Sequence, residues 1–453
     1  MKAMIDEFIA AHLDESLQDV MALCRQPSVS ARREGTRECA DLVVALLARH
    51  GLEVSKFETT GNPIIVGRIT GRSARTLLCY NHYDVQPPEP LNLWQSPPFE
   101  PVIRDGALFA RGSRDDKGEL VARLAALAAV RHAHGGQLPC GVTFIVEGEE
   151  EIGSPHIAEF VQQHRELLAC NGAIWEEGGV EPGGAPYISL GARGLLAVEI
   201  SVSTMKTDAH SGRAHFLPSA AWRMVRALQS LKDDSERITI EGFQSRAIPP
   251  SALDLEYLAK LPDSLALDRE IYGIEHYLNG RTSAEMRPAV FEPTCNIQGI
   301  TTGYQGDGLK TVIPSKASAK LDFRLVPDQD PSECLELLRR HLEKHGFGDV
   351  NVMLLGAMHP AKTSSADPLV ALAASAAQEV YAKSAVIYPM VGGSSPIYAF
   401  RGPLGGIPVI NPGIGYWDNR AHAPNEHIRI ADFSQAVRHI ARIIDGFADI
   451  GAP

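Results

Sequence analysis

Short apolar runs that end abruptly in carboxylates and histidine constrain this chain more than any other feature. Thr76-Leu-Leu-Cys-Tyr80 leads into Asn81, His82, Tyr83 and Asp84, and Val142-Thr-Phe-Ile-Val146 leads into Glu147, Glu149, Glu150 and Glu151. Gly172-Ala-Ile-Trp175 leads into Glu176 and Glu177. Runs of this length, rich in β-formers and bounded by polar loops, suit buried strands of a mixed or parallel sheet. Between the first two, Gly118 to Val130 places Leu120, Leu124 and Leu127 on one helical stripe. Ligands bind beyond the carboxyl ends of strands in open α/β sheets. Several like charges at one edge raise carboxyl pKa values and cost stability unless a cation neutralises them. Carboxylates with histidine therefore point to a site for two divalent cations, and the imidazoles favour zinc.

The rest of the chain reads as helices at 5–24, 36–50, 219–231, 334–345, 366–382 and 431–448, with alternating strands at 195–202 and 317–325 and a buried strand at 408–410. The texture changes near Gly191, where alternating strands and helices suggest a small α+β domain inserted into the first one. With 453 residues, two domains are expected.

A formal charge of −12 with no Lys/Arg run argues against general nucleic-acid or anionic-membrane binding. The seven cysteines are scattered and form no CxxC pair, which argues against a disulfide framework or a thiolate metal site. An acidic amphipathic N-terminus and the lack of a long apolar run read as a soluble, cytoplasmic chain. There is no GxSxG elbow, no phosphate-binding GxxxxGK[ST] loop and no HExxH helix.

The individual clusters have plainer readings too. His82 and Asp84 could be a satisfied surface pair, and Asp115-Asp116 before a helix could be cap and dipole partners. Taken as an ordered set the picture sharpens. His82-Tyr-Asp84, Arg111-Gly-Ser-Arg-Asp115-Asp-Lys-Gly118, Glu150-Glu151-Ile-Gly-Ser154 and Ala209-His210-Ser211-Gly212 resemble the M20 family of dinuclear zinc peptidases and amidohydrolases. That family includes carnosinase-type dipeptidases, glutamate carboxypeptidase, aminoacylase and succinyl-diaminopimelate desuccinylase. Motif order and spacing fit from Pro27-Ser-Val-Ser30 to Asn419-Arg-Ala-His422.

The resemblance implies an α/β fold, a zinc-exopeptidase-like mixed sheet flanked by helices. A discontinuous catalytic domain would cover 1–192 and 360–453, with an inserted α+β lid and dimerisation domain at 193–359. It implies two Zn2+ ions sharing Asp115, the first also held by His82 and Glu176, the second by Glu151 and His422; Mn2+ or Co2+ would suit the same donors. Glu176 is preferred over Glu177 because it directly follows its strand. Asp84 would orient His82, and Glu150 would be the general base towards a metal-activated water. Asp115-Asp116 matches the position of a cis peptide in the family. In the lid, His210 would stabilise the oxyanion in the other subunit's site of a homodimer, Arg324 would grip a substrate carboxylate, and Thr311, Asn296 and Ser394 would contact substrate. His427 and His359 read as surface or loop residues.

The implied activity is hydrolysis of dipeptides or release of a C-terminal residue. One departure matters: carnosinase-like members usually carry Asp where this chain has Glu176, and Glu there is commoner in acylases and carboxypeptidases. An N-acyl-amino-acid amidohydrolase with the same metals and base is therefore the alternative. A non-catalytic metal-binding homologue would lack a ligand or the base, and all are present here.

Overall fold

The apolar runs become neighbouring strands of one sheet in a computed structural model of the chain, which describes residues 1–451. Ala452 and Pro453, at the end of the expected 360–453 segment, lie outside the described residues. The sheet is built from β1 (Glu53–Phe57), β2 (Ile64–Ile69), β3 (Thr76–His82), β4 (Gly141–Glu147), β5 (Gly172–Ile174) and β6 (Val409–Ile410). Their spatial order is β1–β2–β4–β3–β5–β6. β1 and β2 pair antiparallel, β2 runs antiparallel to β4, and β4, β3, β5 and β6 are mutually parallel.

Every residue of β4 is buried, as are Leu77 to His82 of β3. Strands covered on both faces have no reason to alternate, which is why they appear in the sequence as unbroken apolar runs. Helix Lys117–Ala133 packs on β3 and also against helices Lys2–Ala11, Leu13–Arg25 and Ile430–Gly446. Parallel neighbours end on the same edge of a sheet, and here His82 is in register with Glu147. The residues just beyond β3, β4 and β5 consequently emerge side by side.

Two compact units divide the chain, one comprising 1–190, 363–389 and 399–453, the other 191–362 and 390–398. The second contains a four-stranded antiparallel sheet in the order Thr294–Thr302, Lys316–Leu325, Gly194–Ser203, Asn351–Met358. Leu196, Val198, Ile200, Leu321 and Phe323 share a core with Met224 of helix Ala220–Gln229 and Leu338 of helix Pro331–Lys344.

Three expectations shift. Segment 360–453 does not stay in one unit: Met390–Tyr398 packs with the second, because Val391 bridges Ala192, Gly393 accepts from the Arg193 amide and Met390 is buried with Leu258 and Phe291. The N-terminal helix expected over 5–24 is two helices meeting at His12, whose ring stacks on Phe8 at 3.9 Å and bonds the Phe8 carbonyl at 2.9 Å. The helix expected from 334 starts at Pro331, because Asp330 caps the Ser332 and Glu333 amides and proline suits the first turn.

Leu321 is completely buried in the second unit. Leu321→Ala should cost about 2–5 kcal/mol, read as a shift of the denaturant midpoint with the far-UV spectrum unchanged.

Candidate metal centre

Asp115 is the hub of the sheet edge. Its Oδ1 lies 3.0 Å from His82 Nε2 and its Oδ2 lies 2.9 Å from His422 Nε2. Around these two imidazoles stand further carboxylates, Glu176 Oε2 at 3.7 Å from His82 Nε2 and Glu151 Oε2 at 3.2 Å from His422 Nε2. His82 is presented by the last residue of β3, Glu151 by the short helical turn after β4 and Glu176 by the chain just past β5. Glu177 is exposed and turned by a positive φ of 61°, so Glu176 is the residue that faces His82.

The His82 ring is aimed from behind. Its Nδ1 lies 3.0 Å from the Asp84 carbonyl and 3.3 Å from Asp84 Oδ1. A proton on Nδ1 leaves the Nε2 lone pair directed at the carboxylates, the tautomer a metal ligand needs. Asp84 does a second job, since its two oxygens accept from the amides of Glu150 and Glu151, each at 3.2 Å. One carboxylate thus orients the histidine and pins the turn that carries Glu150. Glu151 is further held by Gln86, through its amide at 3.1 Å and its Nε2 at 2.9 Å.

The electrostatics describe a site with unmet negative charge. Burial drives the Glu176 carboxyl well above its usual range, and the Glu150 charge adds to that. Burial also lifts Glu150 to about 7, with His82 opposing and Glu151, Asp115 and Asp84 reinforcing. Burial works against the His82 cation, yet hydrogen bonds to Asp115 and Asp84 outweigh it and hold the ring well above its usual value. His422 rises to about 10 on its bonds to Asp115 and Glu151. Among the described residues, the buried Glu176 Oε2 and Asp116 Oδ1 have no hydrogen-bond partner. Orphaned oxygens, crowded carboxylates and two imidazoles within reach make a donor set suited to divalent cations. Two groups come close enough to hold an ion, Asp115, Glu151 and His422 in one and His82, Asp116 and Glu176 in the other.

The sequence profile of Peptidase family M20/M25/M40 matches residues 78–446. The chain belongs to this family. Among its relatives, the Cys-Gly metallodipeptidase of Schizosaccharomyces pombe is 24% identical over 99% of this chain and 100% of its own. The cysteinylglycine-S-conjugate dipeptidase of Corynebacterium striatum is 27% identical over 84% of each chain. The solved structure of an M20 family metallo-carboxypeptidase from Sulfolobus solfataricus is 33% identical, covers 96% of this chain and 99% of that one, and superposes with a TM-score of 0.85. The fold seen here is the M20 fold, and the chain is an M20 metallopeptidase.

Several residues of this M20 chain have surroundings that its motifs do not reveal. Asp116 is the residue before helix Lys117–Ala133, but its side chain makes no cap bond. Instead its Oδ2 accepts from Asn81 Nδ2 at 2.7 Å and from the His82 amide at 3.0 Å, fixing the end of β3. That occupies one oxygen, whereas both oxygens of Asp115 face imidazoles. The Asp115–Asp116 peptide is cis. Arg123, fully buried, bonds the Tyr80 carbonyl, Asn81 Oδ1 at 3.0 Å and the Trp175 carbonyl at 2.6 Å. It ties together the ends of β3 and β5 that present His82 and Glu176. A lone charge in an otherwise apolar helical stretch was the available signal. His427, expected at the surface, is buried in the strand His427–Arg429, stacked on Phe109 and bonded to Tyr416; pairing with Ala107–Phe109 draws it inwards. His359 stacks on Tyr398 at 4.3 Å.

The second unit gathers the remaining candidates into two groups. His210 and Thr311 are exposed neighbours, with Nε2 and Oγ1 3.4 Å apart and His210 Nδ1 accepting from the Gly212 amide at 3.0 Å. Arg324 donates to Ser394 Oγ at 2.7 Å, and Asn296 donates to Asp322 at 2.9 Å on the adjoining strand.

Because Asp115 faces both imidazoles, Asp115→Ala should abolish tight binding of both metal equivalents, while His422→Ala should lose one. Metal content after equilibrium dialysis against Zn2+ distinguishes the two patterns.

Proposed function

We propose that this chain is a dinuclear zinc exopeptidase that hydrolyses dipeptides or removes a C-terminal residue. The observation that carries the reading is the Asp115 carboxylate, with one oxygen 3.0 Å from His82 and the other 2.9 Å from His422. His82 and Glu176 would hold one ion, Glu151 and His422 the other, with Asp115 shared. Nitrogen and oxygen donors without thiolate suit zinc, and Mn2+ or Co2+ would be accepted by the same set. When bound, the ions supply Lewis acidity, polarising the scissile carbonyl and making water nucleophilic near neutral pH.

The chain's own groups do the rest. Glu150, half-buried beside these donors and not among the ligands, takes a proton from the attacking water as its oxygen bonds to the carbonyl carbon. It then passes that proton to the amide nitrogen and the C–N bond breaks; the water's second proton leaves the new carboxylic acid for the amine, giving an ammonium and a carboxylate. Arg324 offers a planar fork to the substrate's terminal carboxylate, with Ser394, Asn296 and Thr311 as further contacts. His210 donates to the developing oxyanion, reaching it from the partner protomer of a homodimer formed through the second unit. Exposed Trp222, Val225, Met353, Leu354 and Leu355 on that unit support such an interface. The substrate class is supported by the names of the relatives, two dipeptidases and a metallo-carboxypeptidase.

Metal-loaded protein assayed on free-amine dipeptides and N-acylated amino acids, with and without chelator, tests the reading. Chelator-sensitive cleavage of dipeptides is expected. Cleavage of acylated substrates alone would replace it by the amidohydrolase reading, and no metal-dependent turnover would overturn it. In the same assay Glu150→Gln should keep both metal equivalents and lose about 10²–10⁴ in kcat. Light scattering should give a dimer mass for the active species; a fully active monomer would exclude His210 from acting across subunits.

A further inference from the structure

Glu426 lies four residues past His422 and is completely buried. Its Oε2 accepts from Arg111 Nη1 at 2.7 Å and from the Gly112 amide at 2.9 Å. Its Oε1 accepts from the Arg114 amide at 2.9 Å and from the Asp115 amide at 3.1 Å. An ionised carboxylate has about four lone-pair sites, and here each meets a donor from one short loop. The backbone adds to this, because the Ala110 amide donates to the Glu426 carbonyl at 3.1 Å and His427–Arg429 pairs with Ala107–Phe109. The segment bearing His422 is strained, with Arg420, His422 and Asn425 at φ of 57°, 61° and 65°. Conformations of that kind persist only where the surroundings over-determine them.

We infer that Glu426 is a positioning residue for the metal centre, setting the Asp115 peptide relative to His422 so that one carboxylate spans both cation positions. It touches none of the donor atoms of that centre and acts through the backbone of the Arg111–Asp115 loop. The competing account is that Glu426 only pairs with the buried Arg111 and stabilises the fold. The inference rests on the reading of Asp115 as a shared ligand.

The test is titration of metal-stripped, full-length protein with Co2+, followed by its visible absorption, and with Zn2+ against a chromophoric chelator. The variants are Glu426→Gln, Glu426→Asp and Arg111→Met, each checked by circular dichroism. Arg111→Met removes the ion pair but leaves the three amide bonds to Glu426, whereas Glu426→Asp keeps the charge and shortens its reach. Both Glu426 variants should bind both equivalents roughly 10–100-fold more weakly, with shifted Co2+ bands. Arg111→Met should lower the thermal midpoint yet keep the parent's affinity and spectrum. Parent-like affinity and spectrum in Glu426→Asp would overturn the inference, as would an equal loss in Arg111→Met. If Glu426→Gln does not fold, the Asp and Arg111 variants carry the comparison. Asp115→Ala separates the two levels: if it still binds two equivalents, the shared-ligand reading itself fails, and if it binds none while Glu426→Asp is unaffected, only the role of Glu426 fails.

Discussion

A buried sheet whose parallel strands all finish at one edge has to do something with whatever follows those strands, and in this chain carboxylates follow. Parallel pairing of β4, β3 and β5 brings His82 level with Glu147 and sets Glu176 3.7 Å from the His82 ring. Like charges that close together in a low-dielectric setting repel and lose hydration, and the rise of the Glu150 and Glu176 carboxyls by burial records that cost. Cations at this edge would relieve the strain directly, which is why the arrangement makes sense in a metallopeptidase and would be wasteful elsewhere.

The surrounding polar groups sort the carboxylates into those held by protein and those left open. One oxygen of Asp116 is committed to Asn81 and the His82 amide, both oxygens of Asp84 to the Glu150 and Glu151 amides, and Glu426 to the Arg111–Asp115 loop. Buried cations knit the supporting frame. Lys117 donates to the carbonyls of Leu23 and Gln26 at 3.0 and 2.8 Å, closing the end of helix Leu13–Arg25, and Arg123 joins β3 to β5. Buried charges are expensive unless fully partnered, and their use here trades stability for geometry. Asp115, Glu151 and His422, together with His82, Glu176 and the second oxygen of Asp116, are the groups that come close enough to hold cations.

The fold was legible where burial is nearly complete. β3 and β4 run to within two residues of the apolar stretches that announce them, because strands covered on both faces carry their environment in composition. Alternation in Gly194–Ser203 was equally plain, since one face packs on helices. Less legible were features set by contacts between distant segments. The placement of Met390–Tyr398 depends on Val391 meeting Ala192, and the break at His12 falls inside a stretch whose pattern reads as one helix. Neither leaves a proline or glycine signature in the chain.

For the site, the sequence by itself determined the cast: a histidine after one strand, acidic clusters after two more, and an ordered motif set that resembled one family. Residue type decides which groups can donate to a cation, and that information is local. The motif set had already pointed to Asp115 and Glu176; only the tertiary structure decided that both Asp115 oxygens lie towards imidazoles, that Asp116 turns one oxygen onto the end of β3, and that Glu426 clamps a loop more than three hundred residues away. Those choices turn on the direction of a side chain, which depends on how strands, helix and loops close on one another, and no spacing along the chain records it.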